Sequence, residues 1–246
     1  MTERAESYSG ICSVCGTHGS FRDMAQSIRE TYQCTTCRAS MRERVTADAI
    51  LAMYARGRST CLVELAEDPN FSNLDIFEPG ISGAYRTILK PLPSYKNSFY
   101  WDDIPFGEER DGVRNEDLQA LTFRDASFDL VISSDIFEHV RHPWTAFREL
   151  RRVLRTGGCH IFSIPVMLPM RTHGRLRVDT SGPEDVHILE PVYHGDGKGG
   201  RSLVYTDFGA DLYDKLERCG YKTVAVRSDH TDEERRKVIA FICLAV

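Results

Sequence analysis

No stretch of this 246-residue chain reaches the roughly 18 consecutive apolar residues that a membrane-spanning helix needs. A membrane partner is therefore not expected. A basic excess is missing as well: 31 Lys and Arg stand against 36 Asp and Glu, a net charge of −5, so composition gives no sign of a large nucleic-acid footprint. The opening MTERAESYSG has no apolar core of the kind a secretory signal carries, and the expected location is cytoplasmic. Internal repeats and low-complexity tracts are also absent. What remains, with 41% hydrophobic residues, suffices for one full-sized core and a small additional module.

Cysteine is not scarce. Of eight, Cys12, Cys15, Cys34 and Cys37 form two CxxC pairs with 18 residues between them. Each pair can place two thiolates on one turn, and Gly16 follows the first pair where a tight turn is expected. Four thiolates make the closed tetrahedral shell of a structural Zn2+ site, and in a reducing compartment this spacing reads as metal rather than disulfide. The expected role is to fold a segment, residues 1–40, too small to hold itself together. Cys61, Cys159, Cys219 and Cys243 lie in apolar or amphipathic segments and read as buried free thiols. Residues 41–59 read as a linking helix, with Val45, Ile50, Leu51 and Tyr54 on its apolar side and Gly57 at its end.

The most informative stretch runs from Phe128 to Pro165, FDLVISSDIFEHVRHPWTAFRELRRVLRTGGCHIFSIP. Leu130–Ser133 has the apolar, β-branched character of a strand buried on both faces. From Pro143 to Leu154 the apolar residues Trp144, Phe147, Leu150, Val153 and Leu154 recur at helical spacing. Pro143 suits the first turn, and Gly157–Gly158 are expected to end the helix. Cys159–Ile164 is then a second strand, which makes a right-handed strand–helix–strand crossover. Ligands of open α/β sheets sit beyond the carboxyl ends of the strands, so Ser133, Ser134 and Asp135 are expected at the site.

This block resembles the second half of a class I S-adenosylmethionine (SAM)-dependent methyltransferase of the type 11 kind: FDLV opens the fourth strand, EHV the next helix, and RVLRTGG precedes the fifth strand. The resemblance implies an α/β Rossmann-like sheet, parallel with an antiparallel last strand, over residues 60–246, with SAM as cofactor. It extends less sharply from about Asn73 to the C-terminus. Asn73–Phe77 stands where the first strand is expected. Glu78, Gly80 and Ser82 then match the family's acid-and-glycine loop, with Ser82 and Ala84 in place of its later glycines. Tyr95–Trp101 is the expected second strand. The family's ribose-binding acid falls near Asp102, Phe99 stands where other members carry that acid, and Phe99 or Trp101 can pack on the adenine. Asp117 and Leu118 match the pair that reads the adenine edge, and His139 lies at the pocket. Asp135, Glu138 and His139 are also similar to the metal triad of some quinone-pathway O-methyltransferases, with Asp135 in place of their Glu.

Residues 166–204 lose periodicity while holding His173, Asp185, His187, Tyr193, His194 and Asp196. A stretch this long within a domain is expected to carry substrate specificity. His187, His194 and Tyr193 are the candidate catalytic residues, as histidines can titrate near neutral pH. Asp207–Cys219 reads as a helix capped by Asp207 or Thr206, followed by strands at 222–227 and 238–246. The expected function is methyl transfer from SAM to an oxygen or nitrogen nucleophile of a small molecule or sugar. Two alternatives stay open. One is an RNA methyltransferase whose zinc ribbon contacts RNA: residues 1–58 carry eight basic and six acidic side chains, net +2, against 23 and 30, net −7, in the rest. The other is a non-catalytic ribbon protein with a degenerate SAM site. The oligomeric state is not legible.

Overall fold

The computed structural model describes residues 7–25, 27–195, 199–227 and 238–246. Asp196 and residues 228–237 lie outside the described residues. The chain divides into two compact units. The first comprises residues 1–74, 82–95 and 225–242, and the second 75–81, 96–224 and 243–246.

In the first unit, β1 (Ser7–Ile11) and β2 (His18–Arg22) form an antiparallel hairpin, and β3 (Gln33–Cys34) adds to it through Phe21↔Cys34. Helix α1 (Met41–Tyr54) starts at a capping box: Ser40 Oγ accepts from the Glu43 amide at 3.4 Å, and Glu43 Oε2 accepts from the Ser40 amide at 2.8 Å. The sequence signal was the Ser–x–x–Glu spacing itself. Glu43 does more than cap. It is 8% exposed, and its other oxygen accepts from the Ala84 amide at 2.5 Å. The first half of α1 is buried nearly all round, Glu43, Arg44 and Thr46 included. The Arg44 guanidinium lies 3.8 Å from the Phe21 ring centre, donates to the Tyr32 carbonyl at 3.1 Å and reaches the Tyr8 hydroxyl. Helices α2 (Leu62–Glu67) and α3 (Pro69–Ser72) follow, and α4 (Arg86–Leu89) is a single turn.

The large sheet has eight strands: β4 (Ile76–Pro79), β5 (Tyr95–Phe99), β6 (Glu109–Arg110), β7 (Val113–Asn115), β8 (Phe128–Ser134), β9 (Leu154–Ser163), and two near the chain end named below. Parallel pairing joins β4 to β8 (Ile76↔Leu130, Phe77↔Val131), β8 to β9 (Leu130↔Cys159 to Ser134↔Ser163) and β5 to β7. Strand β8 is buried from Leu130 to Ser133, as its apolar run required. Helix α5 (Pro143–Val153), with Pro143 in its first turn, buries Ala146, Phe147, Leu150 and Val153; Phe147 meets Phe162 of β9 at 5.3 Å.

Helix α1 and strand β5 end a few residues earlier than read, at Tyr54 and Phe99, and four larger differences from the sequence reading follow. The first strand begins at Ile76, so Glu78 sits inside it rather than beyond it. The glycine pair does not end α5. The helix stops at Val153, and Gly157–Gly158 lie within β9, where the register slips between Phe128↔Leu154 and Leu130↔Cys159. Three more residues run on β9 than on β8 there, a bulge that Gly157 accommodates with φ +82°. The final helix, α6, runs Leu212–Arg218 behind Asp211; Asp207 is instead a strand residue that receives Arg175 (2.6 Å) and Arg177 (2.9 Å). Finally, residues 166–204 are not a bare loop. They contribute β10 (Arg175–Leu176), β11 (Val178–Asp179), β12 (Val186–His187), β13 (Tyr193–Gly195) and β14 (Arg201–Leu203). These form small antiparallel pairs, β10 with β15 (Thr206–Asp207), β11 with β12 and β13 with β14. Charge holds them: Arg141 meets Asp185 at 2.7 Å, and the Tyr205 hydroxyl donates to the same carboxylate at 2.6 Å. Strand β16 (Tyr221–Arg227) and the last strand, β17 (Ile239–Ala245), complete the order β16-β17-β9-β8-β4-β5-β7-β6, with β17 inside rather than at the edge.

Two stability measurements check this account. Ser40→Ala should cost about 1 kcal/mol in urea unfolding, and Glu43→Ala more, because the Ala84 amide loses its acceptor as well. His160, fully buried in β9 with Nε2 2.8 Å from Ser133 Oγ, is pushed by desolvation from 6.5 to about 3. Between those values the unfolded chain binds a proton that the folded chain does not. Its contribution therefore lowers stability by about 1.4 kcal/mol per pH unit as pH falls. Melting curves at pH 7 and 5 should show that loss, and His160→Phe should remove this part of the slope.

Candidate functional site

The parallel strands of the second unit end on one edge, and most of the residues singled out from the sequence lie there. Gly80 follows β4 with φ +143°, a conformation side-chain-bearing residues rarely adopt, and donates its amide to the Ser98 carbonyl at 2.8 Å. A Cβ placed on it would meet nothing within 4 Å, so the backbone faces open space. Glu78 is 2% exposed at the end of β4. Ser82 belongs to the first unit and is exposed. Beyond β5, the Phe99 and Trp101 rings lie 5.1 Å apart. Asn115, fully buried at the end of β7, fixes Trp101: its Oδ1 accepts from the Trp101 amide at 2.8 Å, and its Nδ2 donates to the Trp101 and Ile104 carbonyls. Asp102 is exposed one residue further on, and its neighbour Asp103 is paired with Arg110 at 2.8 Å.

Asp117 and Leu118 occupy the turn after β7. Asp117 Oδ1 accepts from the Gln119 amide at 2.8 Å, and Leu118 is 8% exposed. Buried Glu116 braces this turn by holding Arg114 (2.6 Å) and the Thr122 amide (2.8 Å). The end of β8 is tied to β9 by hydroxyls: Ser134 Oγ lies 3.1 Å from Ser163 Oγ, which donates to Asp135 Oδ1 at 3.0 Å. Asn115, Glu116 and Ser163 were not foreseen as site residues. Their signal, a small or amide polar group at a strand end, is too common to read alone.

Asp135 has φ +50°, and the chain then enters a 3-10 turn at Phe137–His139. A continuous helix through Asp135, Glu138 and His139 does not form, and Asp135 Oδ1 accepts from Ser163 Oγ. The third partner is His194 of β13. Glu138 Oε1 lies 3.6 Å from both His139 Nε2 and His194 Nδ1, and the two imidazoles meet edge to face at 4.9 Å. Burial raises the Glu138 carboxyl above its ordinary value. Of the other two candidates, His187 lies exposed on β12, and Tyr193 is 45% exposed beneath Arg201. The structure thus brings His194 to Glu138 and His139.

In the first unit, Cys12 and Cys37 sulfurs are 3.7 Å apart and those of Cys15 and Cys34 3.8 Å. A tetrahedron with Zn–S of about 2.3 Å has edges of about 3.8 Å, so these thiols fit such an ion. Gly16 turns with φ +75°, and a Cβ there would fall 2.8 Å from Cys61 Sγ, which requires glycine.

Residues 105–162 match the methyltransferase-domain family. An uncharacterized methyltransferase of Mycolicibacterium gilvum is 45% identical over 49 residues, 20% of this chain and 19% of that protein; one from Mycobacterium avium has the same identity and coverage. The chain thus spans about a fifth of the length of the curated relatives it matches. Among solved structures, a SAM-dependent methyltransferase from Mesorhizobium loti is 18% identical, with a TM-score of 0.48 over 81% of this chain and 96% of that one. The glycopeptide N-methyltransferase MtfA with SAM gives 11% identity and a TM-score of 0.49 over 85% and 95%.

Proposed function

We propose that this chain, which carries a methyltransferase domain over residues 105–162, is a SAM-dependent methyltransferase acting on an oxygen or nitrogen nucleophile of a small molecule or sugar. One observation carries the reading: the matched segment is the one that supplies Asp117, Leu118, Ser133, Ser134, Asp135 and His139 to the edge beyond the parallel strands. When bound, SAM supplies an electrophilic methyl group on a sulfonium. The open backbone at Gly80 suits its methionine part. The tilted pair Phe99 and Trp101 would flank the adenine, Asp102 would take the ribose, and Asp117 with the Leu118 amide would read the adenine edge. Glu78 and Ser82 would shape the loop around Gly80.

Methyl transfer needs the nucleophile in line with the sulfonium carbon, and orientation supplies much of the rate. In this reading residues 166–204 frame the acceptor, which is held against Glu138, His139 and His194. The net charge of −5 favours a small acceptor over RNA. Residues 1–40 would form a ribbon closed by Zn2+ on Cys12, Cys15, Cys34 and Cys37, with 41–59 as the link to a catalytic domain over 60–246.

Calorimetric titration with S-adenosylhomocysteine tests the cofactor site. Micromolar binding is expected, weakened at least tenfold, about 1.4 kcal/mol, by Asp117→Ala and by Gly80→Leu. No binding to the zinc-loaded wild type would overturn the assignment. For the ribbon, cobalt substitution should give thiolate-to-metal charge-transfer absorption in the near ultraviolet. Cys34→Ser should weaken that band and lower the melting temperature.

A further inference from the structure

We propose that Glu138, His139 and His194 form a second metal centre, distinct from the four cysteines, that binds one borderline divalent cation of the Zn2+ or Co2+ type. Two imidazoles and one carboxylate are a donor set such ions favour, and a three-ligand site leaves positions open. One donor atom from each of the three residues lies within 4.8 Å of the other two. Ligands on a common ion at about 2.1 Å stand roughly 3.0–3.4 Å apart. The observed 3.6 Å from Glu138 Oε1 to each imidazole nitrogen needs a contraction of only a few tenths of an ångström.

Three features mark a built site rather than a chance cluster. Glu138 is 1% exposed, and both its carboxylate oxygens lack a hydrogen-bond partner among the described residues. A buried, unsatisfied carboxylate is costly unless a cation or donor completes it. His139 Nδ1 lies 2.8 Å from the Leu203 carbonyl, which can only accept. Nδ1 therefore donates to that carbonyl, and Nε2, the other ring nitrogen, is left facing Glu138. In metal sites a ligand histidine is commonly oriented by a carbonyl or carboxylate that accepts from its other ring nitrogen, as here. The backbone beneath is also tied down: the Tyr205 amide donates to the Glu138 carbonyl at 2.7 Å, and the Val204 amide to the Val192 carbonyl at 2.8 Å, so β13, which carries His194, is anchored to the turn carrying Glu138.

The His194 side chain is 39% exposed and that of His139 15%, so the cluster opens outward on the His194 side. On the methyltransferase reading, on which this last step rests, the open positions would receive an oxygen of the acceptor. That favours a hydroxyl- or carboxylate-bearing small molecule able to chelate.

Metal content after equilibrium dialysis of the full-length protein against zinc, and the spectrum on adding cobalt to protein carrying a single zinc equivalent on its cysteines, test the centre. The wild type should hold two zinc equivalents. Cobalt at the second site should give weak d–d absorption without thiolate charge transfer. His194→Ala and Glu138→Gln should each hold one equivalent with unchanged circular dichroism, and bind the second with a loss beyond the about 10–100-fold that outer-shell partners carry. A single equivalent in the wild type, or a second equivalent that survives both substitutions, would overturn the proposal. Binding of S-adenosylhomocysteine is measured separately, so a failed cofactor site and a failed metal centre give different results.

Discussion

The register between β8 and β9 is the constraint on which the site depends. Side chains alternate along a strand, so a slip of one residue would turn every residue of β8 to the opposite face. With Leu130 opposite Cys159 and Ser134 opposite Ser163, the apolar run is buried and the small polar residues fall at the strand end. The hydroxyl contacts from Ser134 to Ser163 and from Ser163 to Asp135 exist only in that register. The bulge at Gly157–Gly158 takes up the three extra residues of β9 before this seam begins, so the irregularity stays away from the end that matters.

Around that seam, buried polar groups do the positioning. Asn115 holds Trp101 through backbone bonds on both its amide atoms, Glu116 braces the turn that presents Asp117, and His160 stays neutral beside Ser133. Asn115 and His160 are satisfied, at least in part, by partners outside their own strand, and Glu116 by Arg114 and Thr122 on either side of the turn. A buried polar group costs several kcal/mol when left unpaired, so each such residue fixes the segment it touches. Glu43 plays a comparable part in the first unit, where one carboxylate serves both a helix cap and the amide of Ala84.

How much could be read beforehand differs by element. Strand β8, helix α5 and the cysteine pairs were legible because each rests on a local pattern: an uninterrupted β-branched run, apolar residues at helical spacing, and two CxxC turns. The end of α5 was misplaced because glycines tolerate both a helix stop and a bulge, and only pairing with β8 distinguishes them. The stretch 166–204 looked structureless because its short strand pairs are held by Arg141, Arg175 and Arg177 on Asp185 and Asp207. Ion pairs between residues 30 or more apart leave no periodicity.

The sequence by itself determined that the chain builds an α/β sheet with a cysteine-rich segment before it, since hydrophobic periodicity and ligand spacing are properties of neighbouring residues. It also determined which loops carry polar chemistry. Only the tertiary structure decided that Asp135 accepts from Ser163 and that His194, more than fifty residues later, joins Glu138 and His139. A left-handed residue and a 3-10 turn separate Asp135 from the other two, and the pairing of β13 with β14 delivers His194. Neither follows from local propensity, because both depend on where distant backbone groups find their hydrogen bonds.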